Sequence, residues 1–176
     1  MNKIGRISYK FSLLFRAFFF LYPILVITYW MLPLPDKYFF SASRLPLDLK
    51  LEMVRGALRC YACILDMIPT VITMMTFYYL VKLFQLYANN IIFSDQNVSY
   101  LRKIGLLFFY QVIASIVIQP IISMILTFDA AKGGHIISLS FGGEDVSRLV
   151  IAGIAILISW IMEEGRKLEE ETALTV

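Results

Sequence analysis

Four long windows nearly free of charge constrain this chain more than any other feature. A hydrocarbon core about 30 Å thick is crossed by a helix of roughly 20 apolar residues, and such windows leave little choice of solvent. The first, Ala17 to Leu34, reads AFFFLYPILVITYWMLPL, with Tyr29 and Trp30 where an aromatic belt would sit and Pro33 and Pro35 closing it. The second, Cys60 to Val81, is interrupted only by Asp66; the third, Ile104 to Phe128, has 25 residues without a charge. The fourth is shortest, with the 14 residues Leu149 to Met162 lying between Arg148 and Glu163. It still spans, because charged side chains at its ends can reach the interface.

Composition agrees. Of 176 residues, 59% are hydrophobic and 16% charged, so a water-soluble globule is excluded. A net charge of +3 is too small and dispersed for a nucleic-acid surface, so no direct nucleic-acid binding is expected. The predicted fold is an all-α integral membrane protein: a bundle of four transmembrane helices at about 13–34, 60–83, 104–128 and 146–163, forming a single membrane domain over 1–176. The N-terminal cations and apolar run resemble a signal peptide, and Ser41-Ala42-Ser43 a cleavage site. The run is too long and the site too distant, so the first helix is expected to stay uncleaved.

Four helices place both termini on one side. That side carries nine Lys and Arg residues, including the cluster Lys3, Arg6, Lys10 and Arg16, against seven on the other. The positive-inside rule makes the termini cytoplasmic. In the first outer loop, Leu47, Leu51, Val54, Leu58 and Tyr61 form one stripe and Asp48, Glu52, Arg55 and Arg59 the other. This predicts an amphipathic helix over about 46–59 leading into the second membrane helix. A cytoplasmic hairpin over about 84–103 follows that helix, with Asn89 and Asn90 able to end it in a left-handed turn and Ser94 able to cap the next. The loop DAAKGGHIISLSFGGED alternates Ile137, Leu139 and Phe141 with serines, so a short extended or β segment is expected there, with Glu144 and Asp145 at the start of the fourth helix. The tail 164–176 extends that helix into the cytoplasm.

Asp66 is the sharpest polar feature, because an ionisable group in lipid is costly unless partnered. Thr70 and Thr73 follow it on one face, and Gln111, Ser115, Gln119 and Ser123 recur at four-residue intervals on the third helix. A hairpin turning near Ile91 sets Asp66 near the depth of Gln119, and a contact between them is expected. These groups either hold helices together or line a small-molecule, lipid or ion site. Cys60-x-x-Cys63, with His135 and Asp66 on the same side, suggests redox or metal chemistry only weakly; no βαβ pattern surrounds it, and no metal or cofactor is expected. No nucleophile, base and orienting group occur together, so the chain is not expected to be an enzyme.

Three stretches carry a family resemblance: YLVKLFQLYANNIIFSDQNVSYLRKIG, ISLSFGGEDVSRLVIAGIAILI and IMEEGRKLEEETALTV. The pattern residues are Phe93, Ser94, Asn97, Leu101, Arg102, Ile104 and Gly105, then Gly165, Leu168, Glu170, Leu174, Thr175 and Val176. Together they resemble a bacterial four-helix inner-membrane family catalogued only as a domain of unknown function. Its members are often encoded beside a small Cro/CI-type helix-turn-helix regulator, and tend to have Gly where this chain has Asn90. The resemblance implies an inner-membrane location and draws attention to the cytoplasmic hairpin and tail. A docking surface for such a regulator or another cytoplasmic protein is therefore expected at Asn90, Phe93, Ser94, Asn97, Arg102 and Lys103 with Glu163, Glu164, Arg166, Lys167, Glu169, Glu170 and Glu171. The alternatives are a ligand site at Asp66 and a structural subunit of a larger membrane complex. Helix contacts with another chain, through Ala152 and Gly153, leave homo- or hetero-oligomers open.

Overall fold

The computed structural model describes residues 3–32, 55–92, 94–127, 137 and 141–174, with the side chains of 3, 169, 170 and 172–174 excepted. Those residues form four helices: α1 (Lys3–Met31), α2 (Gly56–Ala88), α3 (Asp95–Thr127) and α4 (Gly143–Leu174). Each is long and apolar enough to cross a membrane. They are longer than the charge-free windows, because backbone hydrogen bonding continues past the first charge when cations can stand in the interface. Pro23, Pro69 and Pro120 lie inside helices without ending them.

Packing is serial. α1 lies on α2, α2 on α3 and α3 on α4; among the described residues, α1 and α4 have no Cα atoms within 8 Å of each other. The central pair therefore buries more of its most apolar window, 33% and 39% for α2 and α3, than the outer α1 and α4, at 11% and 22%. The α1–α2 seam is aromatic: Phe11 and Phe15 stack on Phe84 at 5.4 and 5.5 Å between centroids, and Phe18 and Tyr22 reach Phe77 at 5.9 and 6.0 Å. Flat rings give large contact area at little entropic cost, which suits packing where lipid removes the hydrophobic drive. The α3–α4 seam closes on Gly105. A Cβ there would stand 2.9 Å from the Ala152 carbonyl oxygen and 2.7 Å from Ile156 Cγ1, so only glycine permits this approach. Ala152 is thus buried against α3 of the same chain, whereas a Cβ at Gly153 would meet nothing within 4 Å.

The α2–α3 turn is built as its sequence suggests. Asn90 has φ 60°, Ile91 N–H donates to Leu86 O at 3.0 Å and Asn90 N–H to Tyr87 O at 3.1 Å, the paired bonds of a left-handed helix terminus. Ser94 Oγ accepts from Asn97 N–H at 3.3 Å and caps α3. At α4, Asp145 Oδ2 accepts from Gly142 N–H at 3.0 Å, closing that helix start.

The ends of α1 and α2 away from the termini are not level. Residues 56–59 of the amphipathic segment are the first turn of α2, whereas 46–54 lie outside the described residues. Trp30, one residue from the end of α1, meets Asp66, ten residues into α2. α2 therefore starts roughly 13 Å farther from the terminal end than α1 stops. No strand occurs among the described residues, so the β segment is unsupported; Ile137 and Phe141 are irregular there, and 138–140 lie outside.

Candidate functional site

Two regions hold the polar groups, one within the spans and one at the end where the termini lie. Within the spans, Asp66 is fully buried and its Oδ2 accepts a 2.9 Å hydrogen bond from Trp30 Nε1–H. Trp30 is itself 0% and Tyr29 1% exposed, so neither stands in an interfacial belt. An indole N–H enclosed in apolar surroundings must find an acceptor, and the carboxylate that lipid would otherwise penalise supplies it. Trp30 is a partner of Asp66 that the residue pattern does not name; Gln119, the partner expected from helix register, is itself buried. The legible signal was that Trp30 ends a charge-free helix on the same side as Asp66.

The other expected residues of this site are also buried. Thr70, Gln111, Ser115 and Gln119 are 1%, 6%, 7% and 4% exposed, and Thr73 is half-buried. The hydroxyls donate along their own helices: Thr70 to Asp66 O, Thr73 to Pro69 O and Ser115 to Val112 O, at 2.7, 3.1 and 2.9 Å. Such bonds satisfy a hydroxyl in lipid without a neighbouring helix. Gln111 Oε1 is buried with no hydrogen-bond partner among the described residues. Arg148, four residues before Ala152 on α4, lies near the level of Gln111 given the Gly105 register, and pairs with Asp145 at 3.1 Å and Glu144 at 3.7 Å. Asp66 does not line the grooves described between α1 and α2, between α2 and α3, and between α3 and α4. Cys60 is exposed and Cys63 buried, both free; no cluster of metal-binding side chains occurs among the described residues, and His135 lies outside them.

At the terminal end, the hairpin and the tail pack on each other. Arg102 pairs with Glu163 at 2.8 Å, and Arg166 with Asp95 at 2.9 Å. Asp95 escaped sequence reasoning because its partner lies 71 positions away. Asn97 was expected on the docking surface but is 0% exposed: its amide donates to Ile91 O at 2.8 Å and Ile92 O at 2.6 Å, holding the turn together. Its correct reading is as a brace, since an amide has the two donors that carbonyls stranded past a helix end require. Asn90, Arg102, Lys103, Glu164, Lys167 and Glu171 are exposed, Ser94, Glu163 and Arg166 half-buried; Phe93 and the side chains of Glu169 and Glu170 lie outside the described residues. Lys103 Nζ sits 5.2 Å from the Tyr79 ring centroid, and Lys167 pairs with Glu164 at 3.3 Å. Between α3 and α4 a groove of about 380 Å³ is lined by Asp95, Val98, Ser99, Arg102, Lys103, Leu106 and Glu163.

No curated protein and no solved structure matches this chain. A family described as "Protein of unknown function (DUF2975)" matches residues 21–176, from within α1 through the hairpin and tail motifs to the last residue, and the chain belongs to that family.

Proposed function

We propose that this is a non-enzymatic, regulatory protein of the bacterial inner membrane, with both termini cytoplasmic, that docks a cytoplasmic protein on the end formed by the α2–α3 hairpin and the α4 tail. The carrying observation is that α3 and α4 continue past their apolar stretches and are joined there by Arg102–Glu163 and Asp95–Arg166. This joined end presents Lys103, Glu164, Lys167 and Glu171 to solvent, and Lys103 also lines an open groove between α3 and α4. Exposed ion pairs contribute only about 0–1 kcal/mol each to stability, so this charge is better suited to recognition than to holding the fold. A small DNA-binding regulator is the partner the family resemblance suggests. Glu169, Glu170 and Glu171 supply acidic charge complementary to a basic DNA-contacting surface, and docking would compete with DNA.

The test is co-purification of the tagged protein with the candidate regulator from native membranes, repeated with Glu169, Glu170 and Glu171 all changed to Lys. Retention by the wild type and loss in the reversed variant are expected. Equal retention by both would refute competition through the tail, and no retention by either would remove the docking role. The alternative of a ligand at Asp66 gains no support from a carboxylate that is wholly enclosed and bonded to Trp30.

A further inference from the structure

We infer that the groove between α1 and α2 at the terminal end binds the headgroup of an anionic phospholipid. It has a volume of about 250 Å³, and its walls include Arg16, Phe19 and Phe20 from α1 with Tyr78, Lys82 and Gln85 from α2. Its cations stand where headgroups begin. Arg16 immediately precedes the charge-free part of α1, and Lys82 ends the charge-free run that starts after Asp66 on α2.

The charge balance at this end is uneven, and it points to an outside anion. On α3 and α4, Arg102, Arg166 and Lys167 are matched by carboxylates of the chain, and Lys103 rests 5.2 Å from the Tyr79 ring centroid. On α1 and α2 the only acid in either helix is Asp66, 16 residues from Lys82 and therefore roughly 24 Å along the axis. Among the described residues Arg16 has no ion-pair or hydrogen-bond partner, and the Lys82 ammonium rests 5.7 Å from the Tyr78 ring centroid. A guanidinium, an ammonium and the Gln85 amide offer donors of the kind that suit a phosphodiester. Phe19, Phe20 and Tyr78 supply the apolar wall along which the first acyl carbons can lie. A soluble phosphate would leave that wall uncovered, which is why a lipid is the occupant the groove fits. Basic pockets between membrane helices recognise acidic headgroups in this way. The inference does not depend on any protein partner.

The experiment is native mass spectrometry of the purified full chain in a neutral detergent, titrated with phosphatidylglycerol and, separately, phosphatidylcholine. Saturable binding of phosphatidylglycerol at low stoichiometry is expected, with phosphatidylcholine binding far more weakly. Removing both cations in Arg16→Gln/Lys82→Gln should weaken binding about thirty-fold, the effect of two basic side chains at an anionic membrane surface. Arg6→Gln/Lys10→Gln, which removes equal charge elsewhere on α1, should leave binding close to wild type, and Arg16→Lys/Lys82→Arg should retain most of it. Circular dichroism verifies that each variant keeps its helices. Equal loss in both Gln pairs would mean diffuse attraction and overturn the site, as would equal binding of the two lipids by the wild type. Displacement of phosphatidylglycerol by soluble glycerol phosphate would assign the groove to a free phosphate and overturn the lipid reading.

Discussion

Replacing Trp30 with Phe tests the buried bond that ties α1 to α2. The change keeps an aromatic ring in the core but removes the Nε1–H that donates to Asp66 Oδ2 at 2.9 Å, in a place where both residues are 0% exposed. Losing a hydrogen bond to a buried carboxyl group costs about 1–3 kcal/mol, and the smaller ring adds about 1 kcal/mol of lost packing, so W30F should destabilise by about 2–4 kcal/mol. The packing part is separated from the bond by a double-mutant cycle with Asp66→Leu. With donor and acceptor of this bond both gone, its loss is counted once, and the double variant should be more stable than the two single losses added together. The expected coupling is about 1.5 kcal/mol, above the roughly 0.6 kcal/mol mean for interhelical bonds in membranes because the acceptor is a carboxyl group with no access to water. Unfolding by dodecyl sulfate in mixed micelles, followed by far-ultraviolet circular dichroism, gives all four free energies. Additivity within about 0.5 kcal/mol would refute the argument that this contact holds the two helices together.

Other expectations concern close approaches and turns. Gly105→Ala should cost about 1–3 kcal/mol in the same assay, because its Cβ would meet the Ala152 carbonyl at 2.9 Å, whereas Gly153→Ala, facing open space, should stabilise α4 by up to about 1 kcal/mol. Asn97→Ala removes both donors to the turn carbonyls and should cost about 2–3 kcal/mol; hydrogen exchange of the 89–94 amides should rise with it. Asn90→Ala should lose about 1 kcal/mol at its φ of 60°, and Asn90→Gly close to nothing. Arg102→Ala should cost under about 1 kcal/mol and less in high salt, since the Arg102 and Glu163 side chains are 46% and 36% exposed, and exchanging the two residues should restore the loss.

The four spans, the Asn90 turn and the Ser94 cap were legible because they depend on local rules. Apolar length selects helices in lipid, and a capping hydroxyl acts within three residues. Burial of Asp66 was legible too, as an ionisable group in a charge-poor helix. Its bond to Trp30 was not, because an aromatic residue at a helix end reads equally well as a belt or as core. Only the offset between α1 and α2, set by where each helix starts and how their rings interleave, brought Trp30 opposite Asp66. The same holds at the terminal end. The sequence by itself determined the membrane, the helices and the charges; tertiary packing decided which charges neutralise one another. By drawing α4 onto α3 through Gly105, it matched Arg102 and Arg166 with acids and left Arg16 on α1 without one, because side chains far apart in sequence meet only where backbones can approach.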